Sequence, residues 1–366
     1  MNRPIAVCLG MSWWKRRRIA DFLATANGRP VFRRTVAGAL KAAAERGGAI
    51  AVWATREPTV LAARAAALRV PVIRVEDGFI RSVGLGSDFQ PGVSIVLDES
   101  GIYFDPNRES DLERLLRTRK FDLALVARAR RLVDRLIARG ITKYNLDATG
   151  LDSISLDAPR ISWPPGRCRI LVPGQVEDDL SVRLGGGDIR SNLDLLARVR
   201  AENPDAFIVY KPHPDIVAGH RTGVLSEATA RRYADAVVLK GSIAALLGEI
   251  DELHTLTSLS GFEALLRRVP VTVYGRPFYA GWGLTRDIAP WNRGRILSLE
   301  ELAAAALILY PRYIDPLTRL RCEPETAIDR LSRPELWRPG PVVRARRLQG
   351  MLVDALRPRT PYFSRW

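Results

Sequence analysis

Short apolar runs ending in turn residues alternate with longer helix-forming stretches over most of this chain, and that rhythm admits few folds. Runs of four to six apolar residues have strand length, and a helix between two of them returns the chain so that the next strand lies parallel to the last. The first series places strands at residues 5–9, 50–53, 72–74 and 94–97, with helices at 58–68 and 111–140. The second places strands at 169–172, 206–211, 252–255 and 271–274, with helices at 192–202, 243–248 and 261–267. Between them, residues 143–167 break the rhythm with Asp147, Gly150, Asp152 and Trp163-Pro164-Pro165-Gly166, and read as a linker. The expectation is an α/β fold with two doubly wound, Rossmann-type domains facing a cleft, an N-terminal one at 1–150 and a C-terminal one at 165–325. A basic, aromatic tail follows at 326–366.

Charge narrows the partners only in part. The 366 residues include 56 Lys and Arg against 40 Asp and Glu, a formal charge of +16. Such an excess attracts nucleic acid, anionic lipid and acidic substrates alike, and a compositional bias toward Arg produces it with no function attached. No uncharged apolar stretch reaches the roughly 18 residues a bilayer span requires. The run 5–9 is shorter than a signal-peptide core and ends at Gly10. Cys8, Cys168 and Cys322 lie far apart without metal spacing, which fits a reducing cytoplasm better than a disulfide framework. In the tail, Arg344, Arg346, Arg347 and Arg357 interleave with Leu348, Leu352, Tyr362 and Trp366, a mixture suited equally to an anionic lipid surface and to packing back over the first domain.

Four motifs leave predicted strands, where doubly wound sheets bind ligands. Lys211-Pro212-His213-Pro214-Asp215 is a stiff turn that aims an imidazole beside an ammonium, an arrangement suited to a phosphate leaving group, although a His in a rigid turn is otherwise a surface residue. Glu76-Asp77-Gly78 puts adjacent carboxylates at a strand end, where one can take a proton from a hydroxyl, and where the bland role is turn formation. Gln175-Val176-Glu177-Asp178-Asp179 delivers three acids, one of which can attack an anomeric carbon; metal binding competes, but no His accompanies them. Thr257-Ser258-Leu259-Ser260-Gly261-Phe262-Glu263 is a hydroxyl-rich turn into a helix, able to cradle phosphate, with Ser260 as N-cap and Glu263 completing a capping box as the structural role. Gly84-Leu85-Gly86 and Gly185-Gly186-Gly187 lack the remaining residues of nucleotide-binding fingerprints. The aromatic, glycine-rich run 279–284 suits either sugar stacking or core packing.

Taken in order, these motifs resemble the acid-acid-glycine, His-Pro and Ser/Thr motifs of bacterial transferases that use CMP-activated ulosonic acids. The longer strings VEDGFIRSVGLGSD (75–88), 101–105, KYNL (143–146), VPGQVEDD (172–179), 210–215 and 257–285 resemble the capsule polysaccharide beta-Kdo transferases of the KpsC type, closest to the second of their two tandem modules. The resemblance covers roughly residues 50–320. It implies a GT-B-like pair of domains and a retaining beta-Kdo transferase working through an aspartyl-Kdo intermediate. CMP-Kdo is the implied donor, and the acceptor is a lipid-linked Kdo chain at the inner membrane. Peripheral attachment to an anionic membrane surface goes with that, as does a second Kdo transferase, since this chain has one module where KpsC has two.

By position, Asp179 corresponds to the nucleophile, His213 to the histidine at the CMP phosphate, and Glu76 and Asp77 to an acid pair with an acid or base role. Lys211, Ser258, Ser260, Glu263, Gln175 and Arg81, in the same strings, are the implied substrate- and donor-binding residues. No metal, other cofactor or nucleic acid enters this scheme. One rival is an inverting, sialyltransferase-like CMP-sugar transferase with Asp77 as base. The other is a non-catalytic basic capsule-assembly or polyanion-binding protein, which would not require paired acids at strand ends.

Overall fold

A computed structural model describes residues 4–26, 28–83, 89–143, 161–217, 225–239, 241–333, 336 and 343. Most of the linker, the Gly84-Leu85-Gly86 turn and nearly all of the tail therefore lie outside the described residues. Strands β1 (Ile5–Leu9), β2 (Val31–Arg33), β3 (Ala49–Trp53), β4 (Val72–Asp77) and β5 (Ser94–Asp98) build the first sheet. Every residue of β1, β3 and β5 is buried, as expected of strands covered on both faces. The second sheet contains β6 (Arg169–Pro173), β7 (Phe207–Lys211), β8 (Ala236–Val237), β9 (Glu252–Thr255), β10 (Val271–Val273) and β11 (Arg286–Asp287). Its order is β11-β10-β9-β6-β7-β8 and all its pairs are parallel. That is the dinucleotide-binding arrangement, with the direction of winding reversing between β6 and β9.

The first sheet is less regular than the rhythm suggested. Its parallel part, β4-β3-β1-β2, is extended by β5 running antiparallel to β4. Beyond β5 come β12 (Pro311–Ile314) and β13 (Arg321–Cys322), also antiparallel. Residues 311–322 therefore complete the first sheet, although the sequence placed them in the second domain. The return is made by the helix Leu299–Ala303, started by a Ser298/Glu301 capping box, which continues as a π-helical turn, Ala304–Leu309, packed on the helix Leu123–Ala138. The expected single helix at 111–140 is two, Asp111–Thr118 and Leu123–Ala138. Ser110 caps the first, and Asp122 opens the second by accepting the Leu125 N–H at 2.8 Å.

The domains share one apolar core. Phe79, Ile80, Leu112 and Leu132 from the first side cluster with Phe262, Phe278 and Trp282 from the second. Phe79 stacks on Phe278 with ring centroids 4.6 Å apart. Tyr279 and Trp282 are fully buried in this cluster, so the aromatic run 279–284 packs core rather than facing a ligand.

Candidate active site

Gly78 shows why the first motif ends in glycine: a Cβ there would lie 2.8 Å from the Ser94 Cβ on β5. The tight approach fixes the end of β4, where Glu76 and Asp77 sit. Asp77 accepts from Arg81 Nε at 2.9 Å and from Lys15 Nζ at 3.3 Å. Burial alone would raise the Asp77 carboxyl, but the charge and hydrogen bond of Arg81 and the charge of Lys15 override it and hold this acid well below the usual carboxylate range. Glu76 is in the opposite state. Burial pushes it up to about 7, the neighbouring Asp77 charge adds to the rise, and Lys15 opposes it. One Glu76 oxygen meets the Asp77 N–H at 3.2 Å, while Oε2 is buried and has no hydrogen-bond partner. The pair thus separates into a fixed anion and a group that exchanges a proton near neutrality.

Arg81 is 1% exposed and bonds Asp77, the Ser82 hydroxyl and the Gln90 carbonyl, so the structure makes it the support of Asp77. Lys15 was not singled out by sequence reading; it follows β1, far from the acids in the chain, and its amine lies 3.3 Å from the Trp53 ring centroid.

At the switch point of the second sheet, the buried Gln175 bridges β6 and β9. Its Oε1 accepts from the Thr257 N–H at 3.0 Å and from Thr255 Oγ1 at 3.3 Å, and its Nε2 donates to Thr257 Oγ1 at 2.9 Å. With both ends of the amide engaged, Gln175 holds the serine turn together. Gly174 lets β7 come close: a Cβ would lie 2.6 Å from the Tyr210 hydroxyl and 3.1 Å from Pro212 Cα.

The N-cap of the helix Leu259–Leu266 is Ser258, which accepts from the Ser260 N–H at 3.2 Å, and not Ser260 as the capping-box reading had it. Glu263 completes no capping box either. It is buried, its carboxyl is raised by burial, and it accepts the Lys143 N–H at 2.8 Å. The Lys143 carbonyl in turn accepts from the Ser82 N–H, so this one residue ties the acid-acid-glycine segment to the serine-turn helix. The Ser258 carbonyl accepts from the Tyr279 hydroxyl at 2.5 Å.

Lys211 ends β7, and His213 opens the short helix Pro214–Val217. The Asp215 N–H donates to His213 Nδ1 at 3.1 Å, which leaves the ring proton on Nε2, away from the helix. Of the three acids after β6, Glu177 is bound to the Asn192 N–H at 2.8 Å and Asp178 is exposed. Asp179 caps the helix Leu180–Gly185, one oxygen accepting from the Ser181 N–H at 2.9 Å and hydroxyl at 2.8 Å.

The two halves meet at Tyr103, a residue for which the sequence offered only a place in the 101–105 string. Its phenol is pushed well above the usual value, first by burial and then by Glu76, Asp77 and Asp179 together, with Lys143 opposing. Tyr103 packs against Phe79 at 4.8 Å and Phe278 at 5.9 Å, on the shared core beneath the cleft.

Two Rossmann-type domains joined through a shared core make a GT-B-like fold. Similarity to known proteins agrees with it. The family described as capsule polysaccharide biosynthesis protein matches residues 48–313. The capsule polysaccharide modification protein LipA of Neisseria meningitidis serogroup A is 42% identical over 327 residues, 89% of this chain and 45% of LipA. The lipopolysaccharide-processing protein LpsZ of Rhizobium meliloti is 39% identical over 322 residues, 85% of this chain and 70% of LpsZ. The chain thus spans about half the length of LipA. Two solved structures of Thermosulfurimonas dismutans KpsC superpose over 90% of this chain and 99% of theirs. The beta Kdo 2,7 transferase does so with a TM-score of 0.71 and 35% identity, and the beta Kdo 2,4 transferase with 0.76 and 31%. The chain belongs to the capsule polysaccharide biosynthesis protein family.

Proposed function

We propose that this chain is a retaining beta-Kdo transferase that moves Kdo from CMP-Kdo to a Kdo-terminated acceptor in building a capsule linker. The observation that carries the reading is the superposition of 90% of this chain on two KpsC Kdo transferase structures at 35% and 31% identity, with Glu76 and Asp77 at the end of β4 and Asp179 following β6. In the first step the second oxygen of Asp179 attacks the anomeric carbon of Kdo, the bond from that carbon to the phosphate oxygen breaks, and CMP leaves with the electron pair. The His213 Nε2–H, Lys211 and the Ser260 hydroxyl in the first turn of the helix Leu259–Leu266 stabilise the departing phosphate. In the second step Glu76 takes the proton of the acceptor hydroxyl, whose oxygen displaces Asp179 and restores the original configuration. Asp77, held anionic by two cations, is too weak a base for that step, which disfavours the inverting alternative. A further transferase supplies the second linkage type. The lipid anchor of the acceptor places the work at a membrane surface, although no helix among the described residues is long and apolar enough to cross one.

The test is incubation of the purified chain with CMP-Kdo and a fluorescent Kdo-terminated acceptor, beside Asp179→Ala, with the product followed by mass spectrometry and NMR. A new beta-linked Kdo that is absent with the variant supports the scheme. An alpha-linked product, or full activity of the variant, removes Asp179 as nucleophile, and no CMP-Kdo binding removes the donor.

A further inference from the structure

The segment after β1 contains side chains that the reaction scheme does not use. Trp13–Lys15 form a 3-10 turn and Arg16–Leu23 an α-helix, beginning where β1 and β3 part at the switch point of the first sheet. Lys15 turns inward to Asp77. Trp13, two residues earlier and so within about 8 Å along the backbone, turns outward and is 64% exposed. Indoles are highly buried on average in folded proteins, and this one is left largely in water. The ring is nonetheless braced. Phe89 meets it edge-on at 6.1 Å and meets Trp14 at 5.4 Å, so the indole is a fixed platform with an open face.

Three arginines follow that platform in the chain. Arg16 turns back to the Met11 carbonyl and Arg18 to the Gly92 carbonyl. Arg17 is exposed and makes no hydrogen bond or ion pair with a described residue. The first turn of the helix has no acidic residue, so three successive arginines and the positive end of the helix dipole add to one field.

We infer that Trp13 and Arg17 form the acceptor subsite. The indole face packs on a pyranose ring of an anionic, ulosonic-acid oligosaccharide, and the guanidinium binds a sugar carboxylate, so that the terminal hydroxyl points toward Glu76. The inference rests on the transferase reading and adds the element that orients the second substrate. Charge complementarity and the single connecting residue between Trp13 and the Asp77 anchor favour a sugar over a bilayer. A membrane-docking face requires several outward apolar side chains, and Trp13 is the one large hydrophobic residue exposed between Met11 and Leu23.

The experiment measures binding to the full chain, separately for CMP-Kdo and for a fluorescent Kdo oligosaccharide, in the unmodified protein, Trp13→Ala, Trp13→Phe and Arg17→Glu. Trp13→Ala and Arg17→Glu are expected to weaken oligosaccharide binding about tenfold, or about 1.4 kcal/mol. Trp13→Phe should stay close to the unmodified protein, and CMP-Kdo affinity should not change in any of them. Failure of the unmodified chain to bind CMP-Kdo would count against the transferase reading, while oligosaccharide binding still reports on the surface. No oligosaccharide binding, or equal binding by all four proteins, overturns the subsite. Sedimentation with phosphatidylglycerol vesicles completes the set: loss of vesicle binding in Trp13→Ala with unchanged oligosaccharide affinity assigns the surface to lipid and overturns the inference.

Discussion

Glu76 and Asp77 are neighbours with opposite proton affinities, and their difference is testable. Glu76 titrates near 7 in the folded chain and near 4.5 in a model peptide, so the folded state holds the extra proton between those values. Its contribution to stability is full below about pH 4.5 and is lost as pH rises through 7. Glu76→Gln keeps the shape and cannot ionise. Its melting temperature should match the unmodified protein at pH 4.5 and exceed it above pH 7.5, by the equivalent of about 3 kcal/mol. Activity moves the other way. If Glu76 is the base, kcat climbs as it ionises near pH 7, and Glu76→Gln drops it by roughly 10²–10⁴. Lys15→Met, which removes a charge that lowers the Glu76 pKa, should shift the rising limb of the pH profile to higher pH. A limb that stays in place in Lys15→Met would separate Glu76 from the observed titration.

At the scale of elements, the strand-end motifs were legible because each lies at the end of a short, largely apolar run and contains a turn former, as Gly78 follows β4, Gly174 follows β6 and Pro212 follows β7. What the order of residues conceals is which polar side chains are spent on holding those ends. Gln175, Glu263 and Arg81 look like ligand contacts in the strings, but their partners are Thr257, Lys143 and Asp77, which are 82, 120 and 4 positions away. Lys15 and Tyr103 were missed for the same reason: their roles come from tertiary neighbours far away in the chain. Gln175→Ala distinguishes the two kinds of role. It leaves the Thr257 N–H and Thr255 hydroxyl without their acceptor, which should cost about 1–3 kcal/mol of stability and raise the KM for CMP-Kdo with a smaller change in kcat. Weaker donor binding with an unchanged melting temperature would show instead that Gln175 touches the donor.

Across the whole molecule, the sequence suggested two separate domains, and the structure joins them through one core and a returning chain. The return escaped notice because β12 is short and starts with Pro311, which a strand accepts at its first position but which reads as a break. Phe79 leaves the acid-bearing β4, Phe278 follows β10 of the other sheet, and their stacked rings lie against Tyr103. The packing that joins the domains therefore also sets the distance across the cleft. Phe278→Ala removes a buried ring from that junction and should cost about 3–5 kcal/mol. Because the junction lies between two sheets that each have their own core, the loss should fall unevenly on the molecule. Calorimetry of the unmodified chain should show one cooperative transition, and Phe278→Ala should show two, as the sheets cease to unfold together. Transfer should fall more steeply than CMP-Kdo binding, since the donor needs mainly the second sheet while transfer needs Glu76 and Asp179 at a fixed separation. A single transition that merely shifts to lower temperature, with binding and transfer reduced in parallel, would mean that the domains are coupled through the returning β12 rather than through the aromatic junction.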